Sequence, residues 1–168
     1  MKTTIKTIRE NIGLTQEQVS SLTGVPVKTL RNWEQGIRKP SEWTLDLIID
    51  KILRTELEKQ LLLNGQGDDE INILSFTTIK KKVSAIAKNH EIDRIYLFGS
   101  YIKGNATKTS DIDLYMESDI FGLDYFGLTD ELRESLHKKI GLLSNKTVIE
   151  NSKVYQEIMN TGVIIYER

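Results

Sequence analysis

Residues 99–113 read Gly99-Ser100-Tyr101-Ile102-Lys103-Gly104-Asn105-Ala106-Thr107-Lys108-Thr109-Ser110-Asp111-Ile112-Asp113. The apolar run Ile95-Tyr96-Leu97-Phe98 leads into the Gly-Ser pair, and two aspartates separated by one apolar residue close the stretch. In a strand, residues i and i+2 share a face. The pattern predicts that Asp111 and Asp113 aim two carboxylates at one point while Ile112 and Leu114 turn into a core. Hard cations such as Mg²⁺ take oxygen ligands of this kind and sit between one or two carboxylates and phosphate oxygens. A Gly-Ser turn offers backbone N–H groups and a hydroxyl to a phosphate, as anion-binding nests do. Aspartate is a poor strand former, so two on one strand face call for a reason beyond solvation. Turn, spacing and both carboxylates together point to a site for a metal ion and a nucleotide.

The surrounding chain sets the bounds. Its 168 residues, 39% hydrophobic and 28% charged, fit one ordinary domain or two small ones. No apolar run approaches the ~20 residues that span a bilayer, and Met1-Lys2-Thr3-Thr4-Ile5-Lys6 lacks the apolar segment of a secretory signal. The absence of cysteine excludes disulfides and thiolate metal sites and fits a reduced, cytoplasmic setting. The formal net charge of −1 conceals an asymmetry: residues 1–40 hold seven basic and three acidic side chains, a net of +4, which leaves −5 for the remainder. A basic module joined to an acidic one suggests a polyanion-binding part and a separate functional part.

The basic part has its own grammar. Thr15 and Gln18 have the spacing of a capping box, so a helix starts after Thr15, with Val19 and Leu22 on its buried face. Gly24 breaks it, and Pro26 suits the first position of a second helix ending near Gly36. Two short helices joined by a Gly-containing turn form a helix-turn-helix. The wording Leu14-Thr15-Gln16-Glu17-Gln18-Val19, Gly24-Val25, Trp33-Glu34-Gln35-Gly36 and Arg38-Lys39-Pro40 resembles the Xre/Cro family of phage-repressor-like regulators over about residues 3–58. That resemblance implies operator DNA as a partner, bound as a dimer, with the second helix in the major groove. Val27, Lys28 and Asn32 are then expected at bases, Thr29 and Arg31 near backbone or bases, and Gln16 at a phosphate or base. Trp33 shares a face with Leu30 and reads as core.

From Ser41 to Leu63 the spacing of Leu45, Ile48, Ile49, Ile52, Leu53 and Leu57 predicts a long amphipathic helix whose later apolar positions are left over for a second domain or subunit. Asn64-Gly65-Gln66-Gly67-Asp68-Asp69-Glu70 reads as a linker. The expected organisation is two domains: an all-α helix-turn-helix domain over 1–63, the linker 64–70, and a small α+β domain with a mixed sheet over 71–168. In the latter the patterning predicts a helix over 77–89, strands over 93–98 and 111–116, a short helix from Tyr101, helical residues 123–139 interrupted at Gly127, a strand over 140–143, a helix over 152–160 ended by Gly162, and a last strand over 163–166. Lys80-Lys81-Lys82 reads as a solvated face, His90 as a favourable cation at a helix end, and the six tyrosines as packing residues.

The Gly-Ser…Asp-x-Asp stretch, with its wording GSYIKGNATKTSDIDLY, resembles the DNA polymerase β-type nucleotidyltransferases, and within them the minimal nucleotidyltransferases that serve as antitoxins in HEPN/MNT toxin–antitoxin pairs. The resemblance covers roughly residues 77–168. It implies a nucleotidyltransferase fold, ATP and Mg²⁺ as ligands, and transfer of AMP to an acceptor hydroxyl, such as a tyrosine of a HEPN-type toxin. Asp111 and Asp113 become the catalytic, metal-binding carboxylates; Gly99, Ser100, Lys103 and Ser110 become the nucleotide-binding or loop-orienting residues. Relatives supply a third aspartate from the next strand, in wording like K-K-V-D-L. Here the matching run is Lys138-Lys139-Ile140-Gly141-Leu142-Leu143, so glycine stands where that carboxylate is expected. The expectation is therefore a nucleotide-binding domain with impaired transfer, Glu150 being a replacement only if its loop folds back. Arg133 and His137 are three residues apart in between, too close for the Arg-x4–6-His motif of the HEPN ribonucleases, so the chain reads as the antitoxin, alone as a homodimer on DNA or in a hetero-oligomer with its toxin. Two rival readings remain: a transcription regulator whose nucleotidyltransferase-like domain only senses a nucleotide, and an enzyme acting on a small-molecule hydroxyl, for which the chain has little room.

Overall fold

Thr4–Ile12 form the first helix, α1, with Ile5 and Ile8 buried on one side; no capping or turn signal in the sequence marks it. The computed structural model describes residues 4–63 and 73–168, so the expected linker 64–70 lies outside the described residues. Helix α2, Gln16–Thr23, opens with the predicted capping box: Thr15 Oγ1 accepts from the Gln18 amide at 3.1 Å while the Thr15 amide donates to Gln18 Oε1 at 2.7 Å. Helix α3, Val27–Glu34, begins one residue after Pro26, which is extended and caps it rather than joining its first turn. Helix α4 runs over Glu42–Leu63.

The remaining elements are α5 (Phe76–Ala87), β1 (Ile92–Phe98), α6 (Ser100–Lys103), β2 (Ile112–Ser118), α7 (Leu123–Leu136), β3 (Ile140–Ser144), α8 (Lys153–Thr161) and β4 (Val163–Glu167). The four strands form one mixed sheet in the order β3-β2-β1-β4: β1 is antiparallel to both β2 and β4, while β2 and β3 are parallel. The parallel pair needs a crossover, which α7 supplies. Ile112, Leu114 and Met116 face the main core together with residues of α5 and α7. The opposite face carries a second, smaller cluster of Tyr96, Phe98 and Tyr115 under Ile158 of α8.

Three details depart from the sequence pattern. Gly127 does not interrupt α7, which runs unbroken to Leu136. A mid-helix glycine costs about 1 kcal/mol, and burial of Leu128, Leu132 and Leu136 on the main core outweighs that. Gly162 does end α8, but in extended conformation; a Cβ there would stand 2.4 Å from the Ile158 carbonyl oxygen, so close approach explains the glycine. The lysine run is not a uniformly solvated face. Lys80 is drawn between Glu42 and Asp46 of α4, at 2.9 Å from each, and Lys82 donates to the Ser135 carbonyl. Only Lys81 of the three is exposed.

The apolar positions of α4 up to Leu53 find their partner within the same chain, while Leu62 and Leu63 at its end stay exposed. Ile48, Ile49 and Ile52 share one continuous core with Phe76, Ile79 and Val83 of α5 and with the sheet. Polar contacts reinforce the junction: the Thr77 amide and hydroxyl both donate to Asp50, and Asn11 Nδ2 donates to the Thr161 carbonyl at 2.9 Å. Among the described residues, no helix is long and apolar enough to cross a membrane.

A second clamp holds the helix-turn-helix itself. Arg9 on α1 makes a two-pronged pair with Glu34 at the end of α3, at 2.7 and 3.0 Å, and its third donor reaches the Leu14 carbonyl. Gln16 Nε2 adds a bond to Glu34 Oε2 at 2.9 Å. Burial pushes the Glu34 carboxyl up, but the hydrogen bonds from Arg9 and Gln16 outweigh it and hold the group below its ordinary range. A carboxylate whose native pKa is depressed stabilises the fold above its ordinary pKa and loses that contribution as pH falls through the native value. Glu34→Gln, which leaves the half-buried Arg9 charge with only the more distant Glu10 at 3.7 Å, is expected to destabilise by about 2 kcal/mol, between the surface and buried limits for such pairs. Chemical denaturation between neutral and acid pH checks both points: the loss should shrink as pH drops below the glutamate range.

Candidate functional site

Asp113 lies in the middle of the sheet. Across the antiparallel pair it is opposite Phe98, the last residue of β1, and across the parallel pair it is opposite Gly141 of β3. Two glycines therefore flank its carboxylate. A Cβ at Gly99 would come 2.3 Å from Asp113 Oδ2, and one at Gly141 would come 2.8 Å from Asp113 Oδ1. Gly99 also has φ 73° and ψ −149°, a conformation open essentially to glycine alone. The turn that follows folds back on itself, with the Ile102 and Lys103 amides donating to the Gly99 carbonyl.

Asp111 stands one residue before the first residue of β2 and is placed by the Ile112 amide, which donates to the Lys139 carbonyl at 2.9 Å. Its Oδ2 meets Lys139 Nζ at 3.0 Å. Burial pushes the Asp113 carboxyl up, and the charges of Asp111 and Glu157 push it the same way; Lys103 opposes them without cancelling the rise. Two carboxylates crowded in this way attract a cation. Among the described residues no group of three or more His, Cys, Asp or Glu side chains is placed to share one ion. A hard cation here would take Asp111 and Asp113 as ligands and draw its other oxygens from phosphate and water, which suits Mg²⁺.

The other expected residues are placed as follows. The Ser100 hydroxyl makes no hydrogen bond among the described residues and is partly exposed. Ser110 Oγ accepts from the Thr107 amide at 2.8 Å, which orients the loop before Asp111. Lys103 Nζ contacts Glu157 Oε1 of α8 at 2.5 Å. Glu150 is exposed on the loop before α8, where its charge reaches Tyr115. Glu157, not Glu150, is the further carboxylate whose charge reaches Asp113. No motif announces Glu157; the only signal is its place one residue before the apolar Ile158 that docks α8. Burial pushes the Tyr115 phenol up to about 12, in keeping with a packed core tyrosine.

On the helix-turn-helix, Lys28 and Arg31 are exposed, and Val27, Thr29 and Asn32 are partly so. Lys28, Arg31, Arg38 and Lys39 form no ion pair among the described residues. Trp33 packs against the core and Leu30 is fully buried, so α3 presents its polar side outward. Gln16 is the exception, because its amide is engaged by Glu34.

Two family models match the chain: a helix-turn-helix model over residues 5–52, and the model described as Polymerase beta, Nucleotidyltransferase over residues 81–168. Among curated proteins, two provisionally named protein adenylyltransferases of Methanocaldococcus jannaschii are similar. One is 34% identical over 80 residues, covering 45% of this chain and 83% of the relative. The other is 35% identical over 83 residues, covering 48% of this chain and 83% of the relative. Among solved structures, a crystal structure of a toxin–antitoxin with AMP-PNP is 22% identical at a TM-score of 0.47, covering 53% of this chain and 73% of that one. A structure of a tri-AMPylated Shewanella oneidensis HEPN toxin in complex with MNT antitoxin is 21% identical at a TM-score of 0.43, covering 55% and 72%.

Two substitutions test the crowding at Asp113. Gly99→Ala adds both a clash with the carboxylate and a forbidden backbone angle, and is expected to destabilise by about 2–3 kcal/mol. Asp113→Asn removes a charge whose raised pKa marks it as destabilising at neutral pH. Its expected effect is a higher melting temperature in the absence of ligand, read by calorimetry.

Proposed function

The chain belongs to the Polymerase beta, Nucleotidyltransferase family, and from that premise we propose that it is an operator-binding antitoxin whose second domain binds Mg²⁺–ATP and acts on a HEPN-type toxin. The observation that supports the reading is the joining, in one continuous core, of a Gly-Ser turn beside two crowded aspartates to a helix-turn-helix whose exposed cations are unpaired among the described residues. Gly99 lets a phosphate approach the backbone, Ser100 donates its hydroxyl, and Lys103 adds a charge. Asp111 and Asp113 would hold Mg²⁺, which neutralises phosphate charge when bound.

In adenylyl transfer, the oxygen of a toxin tyrosine bonds to the α-phosphorus of ATP, the bond to pyrophosphate breaks, and the phenolic proton passes to a base. Residue 141 is where the family places the carboxylate for that last task, and here it offers only a hydrogen. Transfer is therefore slow or absent, while nucleotide binding persists. This favours a second reading, in which the domain senses a nucleotide and adjusts repression with no covalent product. On DNA, the N-terminal residues of α3 enter the major groove: Lys28 suits a guanine edge, Asn32 an adenine and Val27 a thymine methyl. Two copies bind half-sites about one helical turn apart.

Intact-mass analysis of a HEPN-type partner incubated with the full chain, ATP and Mg²⁺ tests the catalytic part. No gain of AMP mass is expected from the unmodified chain, and a gain is expected from Gly141→Asp. The aspartate's Cβ would stand 2.8 Å from Asp113 Oδ1, so the Asp113 carboxylate has to turn aside to admit it, while the nearest backbone atom, at 4.0 Å, is at ordinary contact distance. Restoring a positioned base should accelerate transfer by about 10²-fold or more. Rapid transfer by the unmodified chain would refute the impairment. For the DNA part, Lys28→Ala is expected to weaken operator binding by about 1–3 kcal/mol and relax the sequence preference at one base pair. Unchanged affinity in a titration at fixed salt would count against the proposed orientation.

A further inference from the structure

The cation expected to receive the nucleotide's phosphates is already occupied by an acid from the far end of the chain. Lys103 sits at the end of α6, three residues after Ser100. Its ammonium contacts Glu157 at 2.5 Å, and both side chains are about two-fifths exposed, at 38% and 42%. The two groups also lie within electrostatic reach of Asp113. The backbone that carries Glu157 is fixed: its neighbour Ile158 is fully buried against Tyr96, Phe98 and Tyr115, and α8 is tied to α1 through Asn11 and Thr161. Its half-exposed side chain, by contrast, is free to rotate away.

Resting on the reading that ATP binds at the Gly99–Ser100 turn, we propose that Glu157 is a positioning residue that competes with the polyphosphate for Lys103 and so sets the affinity for nucleotides by their charge. A carboxylate and a phosphate both seek the same ammonium, and they repel each other when both sit beside it. Binding of a polyphosphate therefore displaces Glu157 from Lys103, or is weakened by its charge. A ligand without phosphates meets no such opposition. The sequence offers no third carboxylate at 141, yet the site still carries a third acid, and that acid acts on binding rather than on the reacting hydroxyl.

The test is calorimetric titration of the full chain with ATP and Mg²⁺, and separately with adenosine, for the unmodified protein, Glu157→Gln, Lys103→Met and the double variant. Glu157→Gln is expected to tighten ATP about three- to fivefold, the range of an exposed ion pair, and to leave adenosine unchanged. Lys103→Met should weaken ATP, and in that background the gain from Glu157→Gln should vanish, since groups that act through one another are not additive. Unchanged or weaker ATP binding by Glu157→Gln, at an unaltered melting temperature, overturns the proposal. So does a gain that persists without Lys103, or an equal gain for adenosine. Failure of every form, the unmodified chain included, to bind ATP would instead refute the nucleotide reading of the site, and the competition with it.

Discussion

The carboxylate of Asp113 fills the volume that side chains at two neighbouring strands would need, and the architecture around the site follows from that. β2 lies between β1 and β3, so whatever ends β1 and whatever stands opposite on β3 must yield to it. Both positions are glycine, one 2.3 Å and the other 2.8 Å from an Asp113 oxygen once a Cβ is imagined there. Gly99 yields in a second way, by taking a backbone angle that turns the chain sharply into α6. The same carboxylate thus shapes the Gly99–Ser100 turn and takes the space a β3 side chain would use. The cost is electrostatic: burial and the charges of Asp111 and Glu157 together disfavour the ionised form. Such tension is tolerated where a cation relieves it, which is why the arrangement reads as a binding site rather than as packing.

The second organising fact is that the helix-turn-helix does not hang from a tether. Its α1 and α4 pack on the α+β half, and a single apolar core runs through both. α6, which bears Ser100 and Lys103, lies beneath them: the position of Gly104, where α6 ends, lies against Glu56 of α4 and Ile12 of α1. Close-packed interiors transmit small displacements because they have little free volume to absorb them. The turn that bears Ser100 and Lys103 is therefore packed directly against the two helices that support α2 and α3.

Much of this was legible in the sequence, for identifiable reasons. The Gly-Ser…Asp-x-Asp stretch encodes its geometry locally, through a turn and a period of two, and the capping box of α2 is a four-residue signal. Strand positions followed from short apolar runs, with ends off by one or two residues, as fraying ends usually are. What stayed hidden depends on residues distant in the chain. Lys80 looked solvated because the acids that enclose it, Glu42 and Asp46, precede it by more than thirty residues on another helix. Arg9 and Glu34 are separated by 25 positions, and the bond from Gln16 to Glu34 spans 18. Glu157 belongs to no motif and enters the site only because α8 folds over the sheet. Gly127 does not break α7 because the penalty of a helical glycine is local, whereas the packing of α7 that outweighs it is not.

Net charge is a poor guide to this chain's partners, and the pattern of pairing explains why. In the α+β half several cations are engaged: Lys103 by Glu157, Lys139 by Asp111, Lys146 by Asp119, Arg94 by Glu167, and Lys138 by the Lys108 carbonyl. Around α3, Lys28, Arg31, Arg38 and Lys39 have no such partner among the described residues. Only an unpaired surface cation can neutralise a phosphate and release the counterions that drive binding to DNA; a paired one must first give up its acid. A formal charge of −1 is thus compatible with a polyanion-binding face, because the +4 of residues 1–40 is offset by residues 41–70, with three basic and eight acidic side chains, while residues 71–168 balance thirteen against thirteen. The same accounting separates the two sites. Around α3 the exposed cations hold no acid among the described residues, whereas Lys103, three residues after Ser100, is held by the carboxylate of Glu157.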